Sequence, residues 1–291
     1  MLKRILFFML TLLLLLGGCA QGSSPQVLAT TRPVYDFTAF LCQNTGITTQ
    51  LLITENVSCL HDYSLQVSQM KMLEKAELIV LNGAGLEDFL ADALPDAVKR
   101  VDSSAGIGLL CPDENHEHGH HEGHSHEVDP HIWLSIENAK IMAQNICDGL
   151  CAAYPQHEAT FLLNLASLCN ELNSIAIYAR QELSGHGCKE MITFHDGFAY
   201  LAESLDLTIL KALEEEAGAE ASAAELIQLI AIVNEHSLPA IFTEVNGSTS
   251  AAQIIAAETS AKIYALDMGM SKRDYFEMMY YNINTIKEAL Q

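Results

Sequence analysis

The longest uninterrupted helical pattern of the chain is PQHEATFLLNLASLCNELNSIAIYARQELSG, residues 155–185. Residues 156–184 contain neither glycine nor proline, and apolar side chains recur at alternating four- and three-residue steps, at Phe161, Leu165, Leu168, Leu172 and Ile175. This spacing places them on one face of a helix. Pro155 suits the first turn of that helix and Gly185 suits its end. The pattern predicts a rod of about 43 Å, because each helical residue adds about 1.5 Å.

Short apolar runs of β type alternate with helical patterns on both sides of this helix. The predicted strands are 27–31, 49–54, 78–82, 98–102, 191–194, 207–210, 240–243 and 262–266. The other predicted helices are 64–75, 86–93, 136–153, 222–236, 249–260 and 272–290. Alternation of strands and helices indicates parallel sheets covered by helices. The predicted fold is therefore α/β, with two lobes, each a mostly parallel sheet covered by helices, joined by one long rigid helix.

The same pattern predicts the limits of the domains. They are a signal peptide (1–18), a tether (19–25), an N-terminal lobe (26–155), the linking helix (156–184) and a C-terminal lobe (185–291). A histidine-rich loop, residues 113–127, lies inside the N-terminal lobe.

The first residues predict where the protein is located. Lys3 and Arg4 precede an apolar run, residues 5–16, that is too short to span a membrane comfortably. Gly17-Gly18-Cys19 follows and resembles a bacterial lipobox, in which Cys19 is lipidated and becomes the mature N-terminus. An ordinary signal peptide or a single anchor helix is the alternative. We expect a protein held by its lipid on the extracytoplasmic face of the bacterial cytoplasmic membrane, at the cell surface or in the periplasm.

Charge and cysteine content restrict the classes of partner and site. The formal net charge is −22, which argues against nucleic acid because nucleic acid selects basic surfaces. Beyond Cys19, the cysteines are odd in number, so at least one has no partner within the chain: Cys42, Cys59, Cys111, Cys147, Cys151, Cys169 and Cys188. The sequence contains no C-x-x-C pair, which disfavours a thiolate zinc site. An extracellular setting permits disulfides, but the spacing assigns none.

Histidine is concentrated in one short segment. Six of the 12 histidines of the chain lie between residues 116 and 126: His116, His118, His120, His121, His124 and His126. Neutral imidazole is the commonest protein ligand for borderline metals such as zinc. A glycine-broken, polar segment of this kind cannot build a core. We interpret it as an accessory metal loop that collects or senses zinc, and a dispensable loop is the alternative.

Four further potential ligands are spread evenly along the chain. His61, His131, His195 and Asp267 are separated by 64 to 72 residues, so that each predicted lobe supplies two. His195 and Asp267 directly follow predicted strands, and open α/β sheets bind ligands at the carboxyl ends of their strands. Each residue also has an ordinary interpretation, as a helix cap for His61 and Asp267 or as a satisfied surface group for His195.

At these residues the chain resembles the zinc/manganese solute-binding lipoproteins of ABC-type metal importers. The matching stretches are LHDY (60–63), QMKMLEKAELIVLNG (69–83), GLEDF (85–89), DPHIWLS (129–135), TFHDGF (193–198) and IFTE (241–244). They extend over essentially the whole mature chain. The fold of that family, two α/β lobes bridged by a rigid helix, agrees with the fold predicted above.

The resemblance implies a function and a set of ligands. His61, His131 and His195 would supply imidazoles and Asp267 a carboxylate, although a water could replace Asp267. Three imidazoles and one carboxylate suit tetrahedral Zn²⁺ better than Mn²⁺, which prefers oxygen ligands. The implied protein is a monomeric, non-enzymatic receptor that captures Zn²⁺ in an interlobe cleft and delivers it to an ABC permease in the membrane.

Two alternatives remain open. The first is a manganese receptor of the same family. The second is a zinc-dependent hydrolase, because residues 116–120 formally match the H-E-x-x-H signature of zinc proteases. That signature needs a helix with both histidines on one face, and Gly119 argues against a helix there.

Overall fold

Two parallel four-stranded sheets form the framework of the chain. The computed structural model describes residues 26–55, 63–111, 128–185, 187–213 and 221–291. The first sheet and its helices comprise β1 (Val27–Ala29), α1 (Arg32–Leu41), β2 (Thr49–Leu51), α2 (Val67–Lys75), β3 (Leu78–Leu81), β4 (Lys99–Asp102) and α3 (Ile136–Ala153). After α4 (Glu158–Leu183) come β5 (Glu190–Thr193), α5 (Ala199–Ser204), β6 (Thr208–Ala212), α6 (Ala223–His236), β7 (Ala240–Glu244), α7 (Ser250–Glu258), β8 (Lys262–Leu266) and α8 (Tyr275–Ala289).

Both sheets have the same strand order. In the N-terminal lobe the order is β2-β1-β3-β4, and in the C-terminal lobe it is β6-β5-β7-β8, with every pairing parallel. In this order the strand sequence reverses between the first and third strands of each lobe. Such a switch point opens a crevice at the carboxyl ends of the strands. The two switch points lie between β1 and β3 and between β5 and β7.

The long helix α4 confirms the prediction made from its apolar spacing. It extends over 26 residues, and its buried side chains are Phe161, Leu165, Leu168, Leu172, Ile175 and Ala179. The regular helix begins later than predicted, because Pro155–His157 forms a 3-10 turn that leads into it. Gly185 follows its end with a φ of +86°, a conformation that glycine adopts without strain.

One apolar core connects the two lobes. It contains Val27 and Leu28 of the first sheet, the buried face of α4, Phe242 and Leu266 of the second sheet, and Met278 and Ile283 of α8. A second cluster lies under α6 and α7 and belongs to the C-terminal lobe alone. Wide separation of the lobes would expose the shared core, at roughly 25 cal/mol per Å² of apolar surface. The packing therefore favours small relative motions of the lobes.

Most of the predicted strands and helices are present, but some boundaries are shifted and some helices were predicted wrongly or missed. All eight predicted strands occur in the described residues, although β2 ends at Leu51 instead of residue 54. The predicted helix 86–93 is wrong, since only a 3-10 turn, Asp88–Leu90, forms there. The residues just before it instead turn around the side chain of Glu87, with left-handed backbone at Gly83, Ala84 and Gly85. The pattern missed α1 and α5.

The predicted limits of the domains remain predictions. The signal peptide, the tether and Cys19 lie outside the described residues. In the part of the chain that the structure describes, no helix combines the length and the apolar character needed to cross a membrane.

Candidate metal centre

Two of the predicted ligands, one from each lobe, lie side by side. His131 precedes the 3-10 turn Ile132–Leu134 that leads into α3, and His195 follows β5. Their ring centroids are 5.4 Å apart and the ring planes are nearly perpendicular, at 85°. His131 is buried, and the side chain of His195 is 17% exposed. Zinc–imidazole bonds are about 2.0–2.1 Å long, so two rings at this separation are suited to binding one ion.

Asp129 orients the ring of His131. Its Oδ1 atom lies 2.7 Å from Nδ1 of His131 and also accepts a hydrogen bond from the backbone N–H of His131, at 2.9 Å. An ionised carboxylate only accepts hydrogen bonds, so Nδ1 carries the ring proton and Nε2 remains available to a metal. Asp129 lies in the stretch 129–135 that carries the family resemblance, but it was not among the predicted site residues.

A network of backbone contacts holds the segment that carries His131. Asn82, at the end of β3, donates from Nδ2 to the carbonyl oxygen of Pro130 at 3.0 Å. Tyr200, on α5 of the opposite lobe, donates from its hydroxyl to the carbonyl oxygen of Asp129 at 3.2 Å. The His131 loop is therefore attached both to the N-terminal switch point and to the C-terminal lobe.

A buried glutamate organises that N-terminal switch point. The carboxyl oxygens of Glu87 accept hydrogen bonds from the Thr30 hydroxyl (2.6 Å), the Asn82 N–H (2.7 Å) and the Gly83 N–H (3.0 Å). Burial raises the pKa of Glu87 to about 7, against the lowering effect of these hydrogen bonds. Glu87 thus fixes the loop after β3 that presents Asn82 to the His131 segment.

The C-terminal switch point carries a different arrangement. Glu244, the last residue of β7, is buried beside His195, and its Oε2 atom lies 3.6 Å from Nδ1 of His195. Oε1 of Glu244 has no hydrogen-bond partner among the described residues. Burial, and secondarily the charge of Asp267, raises the pKa of Glu244 to about 8. Glu244 was not among the predicted site residues, although its position directly after a predicted strand was a usable signal.

Asp267 is fully engaged within its own lobe. Oδ1 accepts a hydrogen bond from the N–H of Gly269 at 2.9 Å, and Oδ2 accepts from the Ser271 hydroxyl at 2.5 Å and from Nη1 of Arg273 at 2.9 Å. The side chain is 1% exposed. As a metal ligand it would have to share or exchange these contacts. Its role as the fourth ligand stays a prediction.

Gly197 permits the two histidines to approach each other. A Cβ atom at this position would lie 2.8 Å from Nδ1 and Cε1 of His131 and 2.6 Å from Cε of Met268. Met268 also accepts, through its carbonyl oxygen, a hydrogen bond from the indole N–H of Trp133 at 2.8 Å. The turn after β5 therefore fits directly against the His131 ring because residue 197 has no side chain.

Several predicted site residues lie outside the described ranges. They are His61 and the six histidines of the accessory metal loop, His116, His118, His120, His121, His124 and His126. Within the described ranges, no group of three or more His, Cys, Asp or Glu side chains is arranged to hold a metal ion. The described residues thus supply a pair of imidazoles, and a complete coordination shell requires further donors.

The sequence and the fold of this chain are similar to those of known metal-binding proteins. Residues 27–289 match the family model described as ZnuA, "Zinc-uptake complex component A periplasmic". A putative metal-binding protein of Treponema pallidum (strain Nichols) is 30% identical over 243 residues, which cover 79% of this chain and 76% of that protein. The zinc-binding lipoprotein AdcA of Streptococcus pneumoniae (strain ATCC BAA-255 / R6) is 29% identical over 278 residues, covering 90% of this chain.

The match to AdcA is partial on the side of the relative, since this chain spans about half, 55%, of its length. Among solved structures, a crystal structure of ZnuA superimposes with a TM-score of 0.81 at 28% identity. That superposition covers 92% of this chain and 100% of the ZnuA chain. The two-lobed α/β fold predicted from the sequence is therefore confirmed.

Proposed function

Because this chain belongs to the ZnuA family, periplasmic component A of zinc-uptake complexes, we propose that it captures Zn²⁺ outside the cytoplasm and delivers it to an ABC-type membrane permease. One observation carries the proposal: His131 and His195, one from each lobe, face each other at 5.4 Å between ring centroids. The metal ion is the cargo of such a receptor, and no chemical step is required of the protein.

The donors favour zinc over manganese. Imidazole suits borderline Zn²⁺, whereas Mn²⁺ prefers carboxylate, carbonyl and water oxygens. Zinc-binding relatives such as AdcA support the same choice. The manganese receptor is therefore the less favoured alternative.

Capture proceeds by exchange of water for protein ligands. Hydrated Zn²⁺ enters the cleft between the lobes and binds His61, His131 and His195, with Asp267 or a water in the fourth position. Ligands from both lobes make binding and closure of the cleft interdependent. The core shared across α4 limits the closure to a small tilt. Release at the permease then requires distortion of this geometry.

The proposal also covers attachment of the receptor to the membrane and collection of zinc by the histidine-rich loop. Cys19 carries the lipid that holds the monomeric receptor on the extracytoplasmic face of the membrane, near its permease. The accessory metal loop, residues 113–127, collects zinc at low affinity. Mass spectrometry of the membrane-extracted protein tests the anchor, because lipidation at Cys19 adds acyl mass to the mature N-terminal peptide and Cys19→Ala abolishes it.

Metal analysis tests the central claim. The purified mature protein should bind one Zn²⁺ tightly in competition with a chelator, and Mn²⁺ in excess should not displace it. His131→Ala should abolish the tight site, while His236→Ala, at a surface histidine paired with Glu190, should leave it intact. Tight binding that survives in His131→Ala would refute the site.

The same sample addresses the hydrolase alternative. A hydrolase needs an open coordination position and a general base near a metal-bound water. We expect stoichiometric zinc without turnover of peptide, ester or lactam substrates. Zinc-dependent turnover that is lost in His131→Ala would favour the enzyme.

A further inference from the structure

Glu244 is a buried acid beside the proposed zinc ligand His195. It has no role in the capture of zinc as proposed so far. It ends β7, in the centre of the C-terminal sheet, and is 5% exposed. Its Oε1 atom is buried and has no hydrogen-bond partner among the described residues. Burial of a carboxylate oxygen without a partner costs free energy. Stability of the fold therefore does not account for an acid at this position.

The contact of Glu244 with His195 suggests what the acid does. Because β5 and β7 are neighbouring strands, the residue after β5 and the last residue of β7 meet at the switch point. There, Oε2 of Glu244 faces Nδ1 of His195 at 3.6 Å. On the opposite lobe, Oδ1 of Asp129 faces Nδ1 of His131 at 2.7 Å. In both pairs the carboxylate is on the Nδ1 side of the ring.

We infer that Glu244 is a positioning residue for zinc binding, which holds the ring of His195 in the orientation that binds the ion. This inference rests on the proposed function, because it concerns the same metal centre. A carboxylate behind a metal-binding imidazole fixes the tautomer and makes the coordinating nitrogen a stronger donor. Each lobe then contributes one histidine–carboxylate pair to the cleft, Asp129 with His131 and Glu244 with His195.

Glu244→Gln is the first test, because it removes the ionisable carboxyl group and keeps the shape of the side chain. The zinc affinity of the mature protein, measured by chelator competition, should fall 10- to 100-fold, as is typical for loss of such a partner. Thermal stability of the metal-free protein should not fall, since the variant removes a buried acid with an unpartnered oxygen. A side chain with a purely structural role would show the opposite pattern.

The chain contains a matched control. Glu190, at the start of β5, forms a pair with His236 at 2.9 Å, and both residues are partly exposed. It lies at the end of β5 opposite to His195. Glu190→Gln removes another histidine–carboxylate contact from the same lobe, far from the proposed site, and should leave zinc affinity unchanged.

Two spectroscopic measurements separate positioning from direct ligation. X-ray absorption of the zinc-loaded proteins should give the same number of imidazole and oxygen ligands in wild type and Glu244→Gln. NMR of protein labelled with ¹⁵N-histidine should show a shift of the Nδ1–H resonance of His195 in the variant, with the resonance assigned by its loss in His195→Gln. Loss of an oxygen ligand in Glu244→Gln would make Glu244 a ligand and overturn the inference.

The outcomes also separate this inference from the proposed function. If the wild type binds no zinc tightly, the proposed function fails and the inference fails with it. If the wild type and Glu244→Gln bind zinc with equal affinity, only the positioning role of Glu244 is refuted.

Discussion

The two lobes share one strand order, and each switch point contains a buried glutamate. The two glutamates differ in how many hydrogen bonds their carboxyl oxygens accept. At the N-terminal switch point, Glu87 accepts hydrogen bonds from Thr30, Asn82 and Gly83. At the C-terminal switch point, Glu244 faces His195 and has one oxygen without a hydrogen-bond partner among the described residues. The first acid organises a loop that supports His131 indirectly. The second lies directly behind a proposed ligand. One topology thus places an acid at the same edge of each sheet, and the surrounding donors decide whether it serves the fold or the metal centre.

The largest effect that tests this contrast is on stability. Glu87→Ala removes the acceptor of two buried donors, the Thr30 hydroxyl and the Asn82 N–H, and of the partly buried Gly83 N–H. Because an unsatisfied buried donor costs about 1–3 kcal/mol, we expect a loss of roughly 2–4 kcal/mol in the free energy of unfolding. Urea unfolding of the metal-free protein measures it. Glu137→Ala, in an exposed ion pair with Lys140, is the control and should change stability by less than about 1 kcal/mol. A loss in Glu87→Ala no larger than in this control would remove the structural role assigned to Glu87.

The second largest expected effect is on zinc affinity, and it tests the contact between Gly197 of the C-terminal lobe and His131 of the N-terminal lobe. In Gly197→Ala the new methyl group would contact His131 and Met268 at distances below 3 Å, so the His131 ring must shift. We expect zinc affinity to fall about 10-fold, equivalent to about 1.4 kcal/mol. Calorimetric titration with a competing chelator measures it. Gly108→Ala is the matched control, because a Cβ atom at Gly108 would have no atom within 4 Å. Equal affinities of the two variants would show that the lobes do not need this contact.

The smallest effect is on the pH dependence of stability. The pKa of Glu87 is raised to about 7 in the folded protein from a reference value of 4.5. Between these values the unfolded chain has lost the proton that the folded protein retains, so this group makes stability fall as pH rises and has no further effect above about pH 7. Glu87→Gln should flatten the profile by at most about 1.4 kcal/mol per pH unit.

Urea unfolding of the metal-free protein at pH 5, 6, 7 and 8 measures this slope. Asp36, whose pKa burial also raises to about 7, contributes in the same direction and remains in the variant, so some slope should persist. Parallel profiles for the wild type and Glu87→Gln would mean that Glu87 titrates alike in the folded and unfolded states.

Much of the fold followed from local patterns. The apolar spacing of Phe161 to Ile175 predicted α4, and short β-type runs predicted the eight strands, because these features depend on residues close together in sequence. The helix predicted at 86–93 failed for a tertiary reason. The carboxylate of Glu87 binds backbone donors at 82 and 83, which turns the chain before a helix can begin.

The metal centre was predicted in part. His131 and His195 were identified from their sequence positions and from the family resemblance, and the structure brings their rings together. Neither Glu244 nor Gly197 was assigned a role. Their significance depends on contacts with His195 and with His131, and the partner of Gly197 is 66 positions away in sequence.

By itself, the sequence determined that two parallel α/β lobes flank a long helix and that the chain carries histidines predicted to bind metal, since periodicity and residue type are local properties. The tertiary structure alone decided which carboxylates are already satisfied. Asp267 is held by Gly269, Ser271 and Arg273, whereas one oxygen of Glu244, beside His195, has no hydrogen-bond partner in the described part of the chain. The physical reason is that the availability of a buried acid depends on the donors that the fold places around it.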